Sequence, residues 1–436
     1  MFLVNTHENH GKPLEAVDAE TLGSAAAERV ERHLAFRENH RATPLHALAV
    51  LASESGVGTL HVKDEGPRFG LGSFKALGGA YAVSCLVLEE SSTQLGRKVD
   101  VSELHSQEVR SVAATMIFAC ATDGNHGRSV AQGAQMVGAN SAIFVHGGVS
   151  DQRIAAIARF GAQIFRVDGT YDDSVAEAAR VAEVNGWTVV SDTSWPGYER
   201  IPGLVMQGYT AMIREALRQM PEPPTHVFVQ AGVGGVAAAV SGYLSVEYCD
   251  HRPKFVVVEP ARAACIYASA EAGKPVNIAH GEPTVMAMLE CYVPSLVAWR
   301  ILSRTADAFM AVDEDDAVKV MNRLARPQGG DTAIVAGESG GASLAGFLKV
   351  ARDPASRAEL RLDANSRVLV FNTEGATDPE RYCELTGLDA AAHAEGAAAV
   401  ACPHAGAQAV GRVVGDGQRL GLGLESGHRQ HRPEDL

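Results

Sequence analysis

From residue 44 to about residue 375, short apolar runs alternate with stretches whose apolar positions recur at helical spacing. The apolar runs fall at residues 59–62, 113–121, 141–145, 162–167, 187–190, 225–230, 254–258 and 366–371, all of strand length. Helical patterns fall at residues 20–34, 127–138, 151–160, 174–183, 207–219 and 342–350. A further helix starts near Ser73, with Leu77, Tyr81, Cys85 and Leu88 on its apolar face. Continuous apolar strands between helices predict a parallel sheet covered on both faces, hence an α/β fold. Residues 90–109 (polar) and 220–225 (three prolines) read as linkers, and no short-period repeat is found.

Composition narrows the function classes. A chain of 436 residues that is 46% hydrophobic has room for two or three domains. Its 21% of charged residues argues against bulk disorder. A formal net charge of −14 argues against nucleic acid or an anionic membrane as partner. No apolar run reaches the roughly 20 residues needed to span a bilayer. The first residues lack a basic start and a long apolar stretch, so a cytoplasmic protein is expected. The seven cysteines show no metal-ligand spacing, so no metal is expected. From about residue 390 the chain is rich in alanine and glycine, and residues 401–436 read as a mobile tail without chemistry.

Candidate chemistry centres on Lys75, in the string Ser73-Phe74-Lys75-Ala76-Leu77-Gly78-Gly79. A lysine in the first turn of a helix is set against the helix dipole, among apolar neighbours. It should therefore release its proton readily, as Schiff-base chemistry requires. Two further loops follow strands and open helices. Thr122-Asp123-Gly124-Asn125-His126-Gly127 offers acid/base and hydrogen-bonding groups. Gly232-Val233-Gly234-Gly235 offers backbone N–H groups for a phosphate, without the spacing of a Walker A motif or a dinucleotide fingerprint. In the C-terminal half, the segments around Glu259-Pro260, Glu338 and Thr373 are polar strand ends or glycine-rich loops. In a parallel sheet the carboxyl ends of strands are where ligands bind.

These strings, in this order, resemble the tryptophan-synthase-β-like (fold type II) pyridoxal phosphate enzymes. Arg68-Phe69-Gly70-Leu71, the Lys75 string, Ala121 to Arg128, Gly197-Tyr198-Glu199-Arg200-Ile201-Pro202, Met206-Gln207-Gly208-Tyr209 and Phe371 to Pro379 are similar to the diaminopropionate ammonia-lyases. The similarity covers roughly residues 15 to 385. It implies pyridoxal 5'-phosphate as cofactor and α,β-elimination of 2,3-diaminopropionate to pyruvate and ammonia by a homodimer. By resemblance, Lys75, preceded by Phe74, carries the cofactor, Asn125 bonds its ring hydroxyl, and Gly232, Val233, Gly234 and Gly235 hold its phosphate. Thr373 or Glu338 faces the pyridine nitrogen. Members act on both enantiomers, which requires a base on each face: Lys75 on one, Asp123 on the other. Asp192 would bind the substrate's β-ammonium or assist its departure. Cys265 and Cys291 are a candidate disulfide.

The chain departs from that pattern at Tyr292-Val293-Pro294, where a Gly-Glu-Pro-type turn is usual, and at Gly72, where asparagine is common. The resemblance also implies two open twisted α/β sheets: a large cofactor domain (residues 1–85 and 196–400) and a small one (residues 86–195) that closes over the substrate. A serine/threonine dehydratase of the same fold is the nearest alternative. A nucleotide-binding oxidoreductase would leave Lys75 and Asn125 without a role. A non-catalytic binding protein is the remaining class.

Overall fold

The computed structural model describes residues 1–391, so the expected tail at 401–436 lies outside the described residues. Its strands are β1 (Phe2–Val4), β2 (Leu45–Ala47), β3 (Thr59–Asp64), β4 (Ile117–Ala121), β5 (Asn140–His146), β6 (Gln163–Val167), β7 (Thr188–Val189), β8 (His226–Gln230), β9 (Lys254–Pro260), β10 (Ala308–Val312) and β11 (Arg367–Asn372). They form a seven-stranded sheet, ordered β1-β10-β9-β8-β11-β3-β2, and a four-stranded sheet, ordered β6-β5-β4-β7. The apolar runs become mutually parallel strands, interior in the large sheet and with β6 and β7 at the margins of the small one, and β8 is buried along its whole length. The large sheet is not wholly parallel: β1 and β2 pair antiparallel at its two margins. Strands of three residues are too short to carry a legible alternation, and short edge strands are a common way of closing a sheet margin.

Several helices differ from expectation for local reasons. The pattern over residues 20–34 is two helices, Ala16–Leu22 and Ser24–Leu34, because Gly23 between them is extended. The helix opened by Lys75 runs to Leu95, into the polar stretch expected as a linker, and stops at left-handed Gly96. The rest of that stretch carries the helix Gln107–Ala113. The helix expected from residue 207 begins at Arg200, since Pro202 in its first turn has no N–H bond to lose.

The Lys75–Leu95 helix packs between Asn125–Val137 and Arg200–Gln219. A Cβ on Gly78 would stand 2.5 Å from the Tyr209 ring, and one on Gly133 would stand 2.6 Å from Ala80 Cα. Backbone thus meets its neighbours on both sides, and the first turn bearing Lys75 is fixed in place. Among the described residues, no helix is long and apolar enough to cross a membrane, and no group of side chains could hold a metal ion.

Candidate active site

The loops at the carboxyl ends of both sheets meet at one cavity. The large sheet brings Phe74 and Lys75 after β3, Gly232 to Gly235 after β8, and Thr373 with Glu374 after β11. The small sheet brings Asp123 and Asn125 after β4, and Asp192 after β7. Ten of the eleven candidate residues therefore line one space. Glu338 does not: its neighbour Ser339 holds the wall, while the Glu338 side chain is 3.7 Å from Arg153.

Lys75 Nζ donates to the Asp192 carboxylate. Burial alone would favour the neutral amine, but the Asp192 charge outweighs it and holds the ammonium above the ordinary lysine range. The expected easy loss of the proton is thus reversed, because a carboxylate in contact acts more strongly than the first turn of a helix. Burial would likewise raise Asp192, and Lys75 followed by His126 keeps it well below the usual carboxylate range. His126 Nε2 meets the Val190 carbonyl at 2.9 Å, while burial lowers the imidazole below its ordinary value.

Asn125 is held at both ends of its amide. Its Nδ2 donates to Glu374 Oε2 at 2.7 Å, and its Oδ1 accepts from Arg128 Nη2 at 2.8 Å. Burial, then the nearby Glu338 charge, raises the Glu374 carboxyl to about 7. Gln230 Nε2 donates to the Gly340 carbonyl at 2.6 Å and to Thr373 Oγ1 at 2.8 Å, joining β8, β11 and the 337–341 loop. On the small sheet, Asp123 Oδ1 accepts from His146 Nε2 at 2.8 Å, and this bond raises the imidazole above its ordinary value.

Cys265 and Cys291 are thiols on either side of Gly232, not a disulfide. Cys265 Sγ lies 3.6 Å from the Gly232 carbonyl, and a Cβ on Gly232 would come 2.9 Å from Cys291 Sγ. Burial pushes the Cys291 thiol up to about 12. Tyr292 and Val293 line an outer cavity of about 660 Å³ that shares Asp123 and Cys291 with the inner one. The Tyr292 hydroxyl donates to Glu290 at 2.8 Å, and its ring lies 4.0 Å from that of His280. Gly72 is left-handed (φ +77°), a conformation that asparagine shares with glycine.

The inner cavity has groups suited to a phosphorylated aromatic ring. No side chain caps the start of the Gly235–Tyr248 helix, so its first N–H groups face the space that the glycine loop lines. Gln230 Oε1, His126 Nδ1, Tyr209 Oη and Glu374 Oε1 are buried at this cavity without a hydrogen-bond partner among the described residues. Sequence reasoning gave Glu374, Gln230 and His146 no role. Glu374 lies one residue past Thr373, and Gln230 ends an apolar strand. His146 was hidden because its contact arises from strand pairing.

The profile of a family described as "Pyridoxal-phosphate dependent enzyme" matches residues 36–374. The diaminopropionate ammonia-lyase of Escherichia coli (strain K12) is 40% identical over 353 residues, covering 79% of this chain and 87% of that protein. Crystal structures of the Escherichia coli enzyme, one with an aminoacrylate-PLP azomethine reaction intermediate and one with D-serine, superpose with a TM-score of 0.79. Their identities are 36% and 35%, and each match covers 88% of this chain and 96% of the other. The biosynthetic L-threonine dehydratase of Salmonella typhimurium (strain LT2) is 27% identical over 304 residues, covering 67% of this chain and 55% of that protein.

Proposed function

The chain belongs to the pyridoxal-phosphate dependent enzymes and, among them, to the diaminopropionate ammonia-lyases; from that membership we propose that it converts 2,3-diaminopropionate to pyruvate and ammonia. The observation that carries this reading is the meeting of Lys75, Asp123 and Asp192 at one cavity beside the glycine loop, in a chain 40% identical to such an enzyme. The lower identity to the threonine dehydratase favours the diamino acid over a hydroxy amino acid.

The residues fit the cofactor. Backbone N–H groups from Gly232 to Gly235 would hold its phosphate, and Asn125 would bond its ring hydroxyl. Thr373 Oγ1 already accepts from Gln230, so its own hydrogen is left to donate, which suits an unprotonated ring nitrogen. Glu338, turned to Arg153, is the poorer candidate for that position. When bound, the cofactor withdraws electrons from the substrate's α-carbon and makes its hydrogen acidic.

The chain's own groups then move protons. Lys75 Nζ, once freed of its proton, takes the α-hydrogen on one face, and Asp123 takes it on the other. Asp192 holds the substrate's β-ammonium and orients it to leave. As the α-hydrogen departs, the bond from the β-carbon to nitrogen breaks and the protonated amine leaves as ammonia. The remaining enamine hydrolyses to pyruvate and a second ammonia. This is carbon–nitrogen lyase chemistry. Residues 86–195, around the four-stranded sheet, act as the small domain whose closure excludes water. The same reading carries a cytoplasmic homodimer, whose mass light scattering would test.

The test is pyruvate release from L- and D-diaminopropionate and L-serine, and 2-oxobutyrate from L-threonine, with Lys75→Ala beside the wild type. Diaminopropionate turns over at least tenfold faster than the hydroxy amino acids, and Lys75→Ala loses activity on all. Serine or threonine as best substrate would favour the dehydratase, and normal turnover by Lys75→Ala would remove Lys75 from the chemistry.

A further inference from the structure

Asp123 and His146 belong to neighbouring strands. β4 and β5 run parallel in a register that pairs Cys120 with Ile143 and Ala121 with Phe144. Two residues beyond the last pair, the chain places Asp123 beside His146, at the carboxyl end of the small sheet. There His146 Nε2 meets Asp123 Oδ1 at 2.8 Å. The other ring nitrogen, Nδ1, accepts the Gly148 backbone N–H at 3.1 Å. A nitrogen that accepts carries no hydrogen in the neutral ring, so the proton sits on Nε2 and is donated to Asp123. The tautomer is set by the backbone turn that follows β5.

We propose that His146 is the positioning residue for Asp123: its Nε2–H anchors one carboxylate oxygen and turns the other towards the substrate face opposite Lys75. This rests on the reading of Asp123 as the second base. Asp123 lines both the inner and the outer cavity, and without the anchor its short side chain could turn between them. The geometry required of a base is a fixed distance to the hydrogen it removes, and a rotamer locked by an outer hydrogen bond supplies it. Lys75 is positioned separately, by Asp192 and by its clamped helix. Loss of the anchor should therefore fall on one enantiomer.

The experiment compares kcat and KM for D- and L-diaminopropionate in wild-type holoenzyme, His146→Ala, His146→Gln and Asp123→Asn. Cofactor absorbance and circular dichroism confirm folded, loaded protein. In His146→Ala the ratio of D to L kcat falls about tenfold, with the loss in kcat and not in KM. The glutamine variant, whose amide nitrogen can stand where Nε2 stands, recovers most of that ratio. Asp123→Asn abolishes the D reaction selectively. If Asp123→Asn lowers both isomers alike, the second-base reading fails and this inference with it. If Asp123→Asn is selective but His146→Ala leaves the ratio unchanged, or glutamine gives no recovery, only the role of His146 is overturned.

Discussion

At the scale of single residues, the cavity is a set of charges that correct one another. Lys75 and Asp192 each favour the ionised form of the other against burial. Glu374 is the exception: with Glu338 near and burial complete, its carboxyl is raised to about 7. Its folded pKa therefore lies above that of the unfolded chain. Between the ordinary carboxyl range and about pH 7, the folded protein binds a proton that the unfolded chain has released. That contribution is fully present at the acid end of the window and fades as pH rises through it. Glu374→Gln, which keeps the neutral shape, should flatten this slope and raise stability at pH 7.5 by about 1–3 kcal/mol. Urea unfolding of cofactor-free protein at pH 5.5 and 7.5 checks it; an unchanged slope would show that the group does not titrate there.

At the scale of elements, the deciding unit is the Lys75–Leu95 helix between its two partners. Gly133 lies so close to Ala80 that any side chain must push backbone aside. Gly133→Val should destabilise the protein by about 2–4 kcal/mol and lower Tm by several degrees. Scanning calorimetry checks it, and an unchanged Tm would mean that the helices are not in contact there. Much at this scale was legible in the sequence, because a strand run followed by a glycine-bearing loop and a helical pattern is local. Lys75, Asn125 and Gly232 sit in such strings. What escaped depends on partners distant in the chain. The bond from Asn125 to Glu374 spans 249 positions, and no periodicity marks it. The break at Gly23 escaped because apolar spacing carries on across it. The reversed charge state of Lys75 escaped because Asp192, 117 residues away, decides it.

At the scale of the whole molecule, the ionisable groups of the cavity come from two sheets, so in the proposed mechanism their relative placement is part of the chemistry. The helix Asp151–Ala158 of the smaller layer reaches across to the larger one. Arg153 approaches Glu338 at 3.7 Å, and Gln152 Nε2 donates to Glu380 at 2.7 Å. If the small domain closes as proposed, Arg153→Ala should weaken that closure and lower kcat/KM about fivefold for both isomers, equivalent to about 1 kcal/mol. Steady-state kinetics check it, and a change confined to one isomer would assign Arg153 to the substrate face instead.

The side-chain amide of Gln230 also bonds the Ser339 and Phe371 carbonyls, each at 3.2 Å. A floor tied at so many points has little conformational freedom to lose. Capture of an aromatic phosphate by such a surface loses little conformational entropy in the protein. Its affinity is then set mainly by how slowly the ligand escapes. If residues 86–195 close over the substrate as proposed, the mobile share of binding falls to the small sheet, and such an enzyme would retain one molecule through many turnovers while exchanging another at each.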